Sequence, residues 1–241
     1  MKYNIQIAEK IANEWNKAEI NYAVAHGIEQ YPSSLGRDLD VIVCLRQIKK
    51  ALEITLSIFR EERWIVVFHK KPWVYLVFAF KIFKEKTSSI EIDLFSHILW
   101  RTKSLAKIEY NRNQFRQKGP FKIDPWASFT KRIFIQLLGG NVVKFEQKPY
   151  ELKIEDYEIK IIEEHLIDIL GNNLTDCFLK AIQESDINQL LALIPILQRT
   201  VILNSFFKQN PIDTLITTFE SIRNRLSLVF GQNSVPIIAL V

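Results

Sequence analysis

Residues 20–45 read INYAVAHGIEQYPSSLGRDLDVIVCL, and they restrict the fold more than any other stretch of the chain. One short apolar run ends at His26-Gly27, a loop rich in glycine, proline and serine follows, and a second apolar run opens with Asp38 and Asp40. Runs of this length bounded by such loops are strands. Strand side chains alternate between faces, so Asp38 and Asp40 share one side, about 7 Å apart along the chain. Two carboxylates on one strand, beside a glycine turn, form a candidate cradle for a divalent cation and a phosphate. Asp-x-Asp is a common spacing, so the surroundings have to carry the argument.

Those surroundings predict an α/β unit. Ile5, Ala8, Ile11, Ala12 and Trp15 fall at helical spacing over residues 4–17, and Ile48, Ala51, Leu52, Leu56 and Phe59 do so over 47–60. Tyr22–Ala25 and Leu39–Leu45 are strands, and three more are expected at Trp64–Phe68, Trp73–Phe80 and Ile90–Phe95, with turns at Lys70–Pro72 and Lys84–Ser88. The order implies a mixed sheet with helices on one face and the other face open. In the last strand Glu91, Asp93 and Phe95 face one way while Ile92 and Leu94 face the other. A row of acids is unusual on a packed sheet face and ordinary on a solvated edge.

Past residue 100 the pattern changes. Between Leu99 and Arg132 nine Lys/Arg stand against Glu109 and Asp124, a local net of +7 within a chain of net +5. Such a field suits a nucleotide, a polyanion or an acidic surface, or is simply a solvated face. Residues 125–138 read as a helix, with Pro125 at its start and Gly139-Gly140 as its stop. Residues 143–153 are ambiguous between a hairpin and other structure. Helical periods then run over 156–170, 174–184, 186–206 and 211–228, with Asp186 and Asp213 as caps or first-turn acids.

The expected class is therefore α+β. A sheet domain over 1–100 leads through a basic connector, 101–124, into a helical domain, 125–234. The closing run VPIIALV over 235–241 is core-like, either the first strand of a further domain or a tail folded onto this one.

The chain holds two cysteines, Cys44 and Cys177, which read as buried thiols rather than a disulfide scaffold. The N-terminus lacks a signal-peptide core, and no uninterrupted apolar stretch approaches a membrane span. A cytoplasmic protein is the expectation.

Asp38, Asp40 and Asp93 would converge on the open face if their strands are neighbours. Clustered carboxylates repel unless a cation neutralises them, and Mg²⁺ takes one or two carboxylates together with substrate phosphates. In a two-metal arrangement one ion binds a nucleoside triphosphate and the other activates a hydroxyl that Asp93 orients or deprotonates. Gly27 would admit a phosphate close to the backbone, and Arg101 and Lys103 would meet the triphosphate or pyrophosphate.

Gly27, the run Arg37-Asp38-Leu39-Asp40-Val41-Ile42-Val43 and the run Ile92-Asp93-Leu94-Phe95 resemble the signature of the nucleotidyltransferase superfamily typified by DNA polymerase beta. The resemblance spans residues 5–100. It implies that fold, with Asp38, Asp40 and Asp93 as metal ligands, Asp93 also as base, Mg²⁺ as cofactor and an NTP as substrate. Nucleotide contacts are expected from His26, Gly27, Ser33, Ser34, Arg37, Arg101 and Lys103. Where the family usually has Ser or Gly after the hydrophobic-Gly pair, this chain has Ile28, and His26, Ser33 or Ser34 would have to compensate. A loop histidine such as His26 is also commonly a surface or hydrogen-bonding residue.

The string HGIEQYPSSLGRDLDVIV, with IDLF and WR later, is also similar to uncharacterised bacterial nucleotidyltransferase-like proteins associated with surface-polysaccharide gene sets. Some of these precede a P-loop domain resembling thymidylate kinase. No Gly-x-x-x-x-Gly-Lys-Ser/Thr run occurs here, so no kinase activity is implied.

Three functions follow as expectations. The first is Mg²⁺-dependent transfer of a nucleoside monophosphate to a small-molecule, sugar or protein hydroxyl. The alternatives are a catalytically weak or inactive nucleotide-binding or regulatory module, and an RNA or DNA nucleotidyltransferase. A nucleic-acid acceptor is not favoured, because no RRM-like aromatic motif, zinc site or helix-turn-helix accompanies the basic segment.

Overall fold

The computed structural model describes residues 2–36, 38–71, 74–83, 86–100, 103–107, 115–147, 152, 154–208 and 237–239. The expected helix over 211–228 lies outside them. The chain divides into two compact units, one of Met1–Ile98, Ala106–Ser128 and Gln232–Val241, the other of Leu99–Leu105 and Phe129–Gly231.

The first unit follows the order α1 (Lys2–Lys17), β1 (Tyr22–His26), β2 (Asp38–Val43), α2 (Ile48–Glu61), β3 (Ile65–Lys71), β4 (Val74–Phe83) and β5 (Lys86–Phe95). After β6 (His97–Trp100) and β7 (Lys103–Lys107), which form a two-stranded sheet, come β8 (Arg116–Lys118) and β9 (Phe121–Ile123). The main sheet has eight strands in the order β10-β3-β4-β5-β2-β1-β9-β8, with β10 at Ile237–Ala239. It is mixed: β2 pairs with β5 and β1 with β9 in parallel, and the other pairings are antiparallel.

One face of this sheet packs on α1 and α2. Ile7, Ala8, Ile11, Ala12 and Trp15 of α1 and Ile48, Ala51, Leu52, Ile58 and Phe59 of α2 share a core with alternate residues of the strands, Leu39, Val41 and Val43 in β2 and Ile90, Ile92 and Leu94 in β5. Ile7 rather than Ile5 completes the buried stripe of α1. Trp15 is the anchor: it is 1% exposed, its Nε1 donates to the Ala51 carbonyl at 3.1 Å, and its ring meets Tyr22 edge-on at 5.0 Å. A fully buried large apolar side chain contributes roughly 1.5–3 kcal/mol, so this layer holds the sheet from behind.

Several elements differ from the sequence expectation. Strand β5 begins at Lys86, four positions before Ile90, and pairs with β4 up to Phe83↔Lys86. Within the segment read as a basic connector, β9 joins β1 and β8 follows as the edge. Each has only three residues, too few to give a period, yet Phe121 is fully buried. The closing run supplies β10, which pairs with β3 from Ile237↔Phe68 to Ala239↔Val66.

Asp124 and Pro125 start the next helix as capping chemistry requires: the Asp124 carboxylate accepts from the Ala127 amide at 3.0 Å, and proline occupies a position whose amide has no partner in a helix. Helix α3 (Pro125–Phe129) runs through a π-helical turn, Thr130–Phe134, into α4 (Ile135–Leu138) and ends at Gly139-Gly140, where Gly140 has φ +75°.

The second unit is helical beyond that point. Val143–Gln147, in the ambiguous segment, is helix α5, held by the buried Phe145 and by Val142 carbonyl bonds. Helices α6 (Asp156–Leu170), α7 (Asn172–Gln183) and α8 (Ile187–Lys208) follow. Phe134 and Phe178, with centroids 5.7 Å apart, centre the core together with Phe129. Among the described helices only α8 has a window, Ile187–Asn204, long and apolar enough to cross a membrane. It buries the stripe Leu190, Ile194, Leu197 and Val201, the helical spacing of a core-facing helix.

Candidate metal centre

The residues that alternate with the core stripe lie on the opposite face of the sheet. In β2 these are Asp38, Asp40 and Ile42, and in β5 they are Glu91, Asp93 and Phe95. The parallel register sets Asp38 beside Glu91 and Asp40 beside Asp93. Adjacent strands are about 4.8 Å apart, so like charges are direct neighbours on this face.

On the other side of β2, strand β1 pairs Ala23 with Ile42 and Val24 with Val41, then shifts register so that His26 opposes Asp40. Regular alternation from Val24, a core residue, would send His26 into the helical layer. The bulge between Val24 and His26 inserts one extra residue and turns His26 onto the acidic face instead. One lateral row therefore reads His26, Asp40, Asp93, Leu76 across β1, β2, β5 and β4.

Ligand atoms of His26, Asp38 and Asp40 all lie within 4.8 Å of one another. Asp40 is only 3% exposed, and its Oδ2 is 3.7 Å from His26 Nδ1. The other ring nitrogen, Nε2, is 3.7 Å from Glu29 Oε1. Glu29 curls back on its own loop, and its two oxygens accept from the Gly27 amide at 3.2 and 3.1 Å. Two carboxylates and an imidazole form a donor set suited to a divalent cation, since oxygen donors hold hard ions and imidazole adds affinity for first-row metals.

The loop beneath this cluster is tightly built. Gly27 has φ +100°, and a Cβ there would lie 2.2 Å from the Asp38 carbonyl oxygen. Glycine is thus required because the loop backbone rests on the start of β2, a steric reason separate from the phosphate approach that the sequence suggests. Gly36 closes the loop by donating to the Gly27 carbonyl at 2.7 Å. Ser33 and Ser34 hydroxyls both bond Gln30, to its carbonyl and its Oε1, and Ser34 is buried.

Tyr31 donates to Glu9 Oε1 at 2.7 Å and packs edge-on against Phe121. That bond, with burial and the Glu9 charge, pushes the Tyr31 hydroxyl up to about 12. Lys118 of β8 donates to the Ile28 and Glu29 carbonyls at 2.8 and 2.9 Å. Burial and the nearby Arg116 draw its ammonium below the ordinary lysine range, with Glu29 opposing.

Of the residues expected at a site, His26, Asp38 and Asp40 come together, and Asp93 stands next to Asp40 by register, with its Oδ1 enclosed. Gly27, Ser33 and Ser34 serve the loop's own architecture. Lys103 opens β7, while Arg37 and Arg101 lie outside the described residues. Ile28 is 5% exposed and belongs to the core, so the position where the resembled family usually carries a hydroxyl or glycine is occupied by packing.

Sequence reasoning missed Glu29 and Lys118. A carboxylate two residues beyond a glycine is a faint signal for Glu29. Nothing local points to Lys118, because its partners are some ninety residues away. Comparison with protein-family models, curated proteins and solved structures finds no significant match.

Proposed function

We propose that the first unit is a nucleotidyl-transfer domain of the DNA polymerase beta type. It moves a nucleoside monophosphate from an NTP to a small-molecule, sugar or protein hydroxyl. The observation that carries this reading is the parallel register of β2 and β5, which seats Asp93 beside Asp40, with Asp38 on the same face one pleat away.

Asp38 and Asp40 are the residues that would hold Mg²⁺, and the bound cation would neutralise phosphate charge and lower the pKa of the acceptor hydroxyl. Asp93 takes the proton of that hydroxyl as its oxygen bonds the α-phosphorus. The bond from the α-phosphorus to the oxygen bridging to the β-phosphate breaks, and pyrophosphate leaves with that electron pair. The helical layer behind β2 and β5 fixes the carboxylates from the rear, so their spacing is set before substrate arrives.

The test is transfer of α-labelled ATP, GTP, CTP and UTP, with Mg²⁺, to protein or lysate acceptors, with release of pyrophosphate followed in parallel. Wild type is expected to transfer label and Asp40→Asn to lose it. Equal labelling by both would sink the proposal.

A second reading is a nucleotide-binding module without efficient transfer. It is favoured by Ile28, buried where a phosphate-binding hydroxyl is expected, and by Glu29, which engages the Gly27 amide. Mg²⁺-NTP binding that depends on Asp40, with neither transfer nor pyrophosphate release, would select it.

A further inference from the structure

We infer that His26 is the third protein ligand of the cation site, with Glu29 as its positioning residue, so that the site prefers a first-row transition ion such as Mn²⁺ to Mg²⁺. The inference rests on Asp38 and Asp40 binding a cation, and on nothing about nucleotide.

Three observations converge on it. The first is distance: an imidazole nitrogen and one oxygen from each of Asp38 and Asp40 all lie within 4.8 Å of one another, as ligands around one ion do. The second is the bulge in β1, which turns His26 out of the helical layer and opposite Asp40. Bulges re-aim side chains in this way beside functional sites. The third is the far side of the ring. With Nδ1 toward Asp40, Nε2 faces Glu29 Oε1 at 3.7 Å, and the Gly27 amide holds that carboxylate.

Metal-bound histidines characteristically turn their second nitrogen toward a carboxylate, which fixes the tautomer and raises the basicity of the coordinating nitrogen. A chain from Gly27 N–H through Glu29 and His26 to the Asp38–Asp40 pair has that form. Mg²⁺ favours an all-oxygen, near-octahedral shell, whereas an imidazole with two carboxylates suits Mn²⁺ and the later first-row ions.

The experiment uses the full chain and the metal alone. Mn²⁺ binding is read from loss of the free-ion EPR signal, with Mg²⁺ as competitor, and nitrogen coupling to bound Mn²⁺ is read by pulsed EPR. Wild type is expected to bind Mn²⁺ more tightly than Mg²⁺ and to show coupling to an imidazole nitrogen. His26→Ala and His26→Gln should abolish the coupling and lower Mn²⁺ affinity at least as much as the loss of an outer partner does, about 10–100-fold. They should weaken Mg²⁺ binding less.

Glu29→Gln should keep the coupling while weakening Mn²⁺ binding by about tenfold. Cation-free circular dichroism and melting establish that each variant is folded. Equal affinity of wild type for the two ions, absence of nitrogen coupling, or a greater loss from Asp93→Asn than from His26→Gln would overturn the assignment. No nucleotide enters this measurement. Intact Mn²⁺ binding without nucleotidyl transfer would therefore remove the proposed activity and leave the ligand set standing.

Discussion

Asp40 and Asp93 are direct lateral neighbours on parallel strands, two carboxylates side by side on a sheet whose other face is packed with aliphatic residues. Folding sets two like charges side by side in register, a repulsion that a bound cation would relieve.

That repulsion predicts opposite effects with and without metal. Like charges facing across a ladder destabilise by roughly 0.2–1 kcal/mol, so Asp93→Asn should raise the unfolding free energy from urea melts in EDTA by about that much. Adding Mn²⁺ or Mg²⁺ should then stabilise the variant less than wild type, because a ligand stabilises only through its affinity for the folded state. Urea melts with and without saturating cation check both signs.

Gly27→Ala should be more damaging than Gly140→Ala. Both have positive φ, worth about 1–2 kcal/mol against an alanine. A Cβ on Gly140 meets nothing within 4 Å, whereas one on Gly27 would drive the Asp38 backbone away. The expected outcome is a larger stability loss together with weakened metal binding for Gly27→Ala, and the smaller strain alone for Gly140→Ala.

Alkaline pH should loosen the loop through Tyr31. Its folded pKa is raised to about 12 from 10, so the folded state holds the proton more tightly than the unfolded chain does. The resulting stability is complete below pH 10 and is lost as pH rises through the folded value. Tyr31→Phe should flatten the decline of unfolding free energy over that window, measured as the wild-type-minus-variant difference at each pH.

Asp124→Ala should uncap α3. The lost bond to the Ala127 amide predicts about 1 kcal/mol of destabilisation, with faster amide exchange confined to the first turn, while Asp124→Asn retains most of the wild-type protection.

Long periodic elements are legible in the sequence itself. Helix α6 spans the expected Asp156–Leu170, and the alternation of Glu91, Asp93 and Phe95 against Ile92 and Leu94 matches their burial. What escaped was short or depended on register. Strands β8 and β9 have three residues each, and β9 owes its place to a distant partner, β1, with β8 joined only through β9. The ambiguous segment after residue 142 became a helix around Phe145, whose burial is a tertiary fact. Asp38 and Asp40 were visible because alternation within one strand is local. The position of His26 beside them was not, because local alternation there gives the wrong face.

The irregularity at Ala25 makes arithmetic, rather than residue identity, the guardian of this surface. Deleting Ala25 would restore an even ladder with His26 still opposite Asp40, whereas pairing Ala25 itself with Asp40 at full length would send the imidazole to the aliphatic side. Point changes at Ala23 or Ala25 keep the count. A mutational scan restricted to substitutions would therefore find this strand tolerant in its spacing by never testing it, and an insertion–deletion scan is the form of mutagenesis that reads the information stored there.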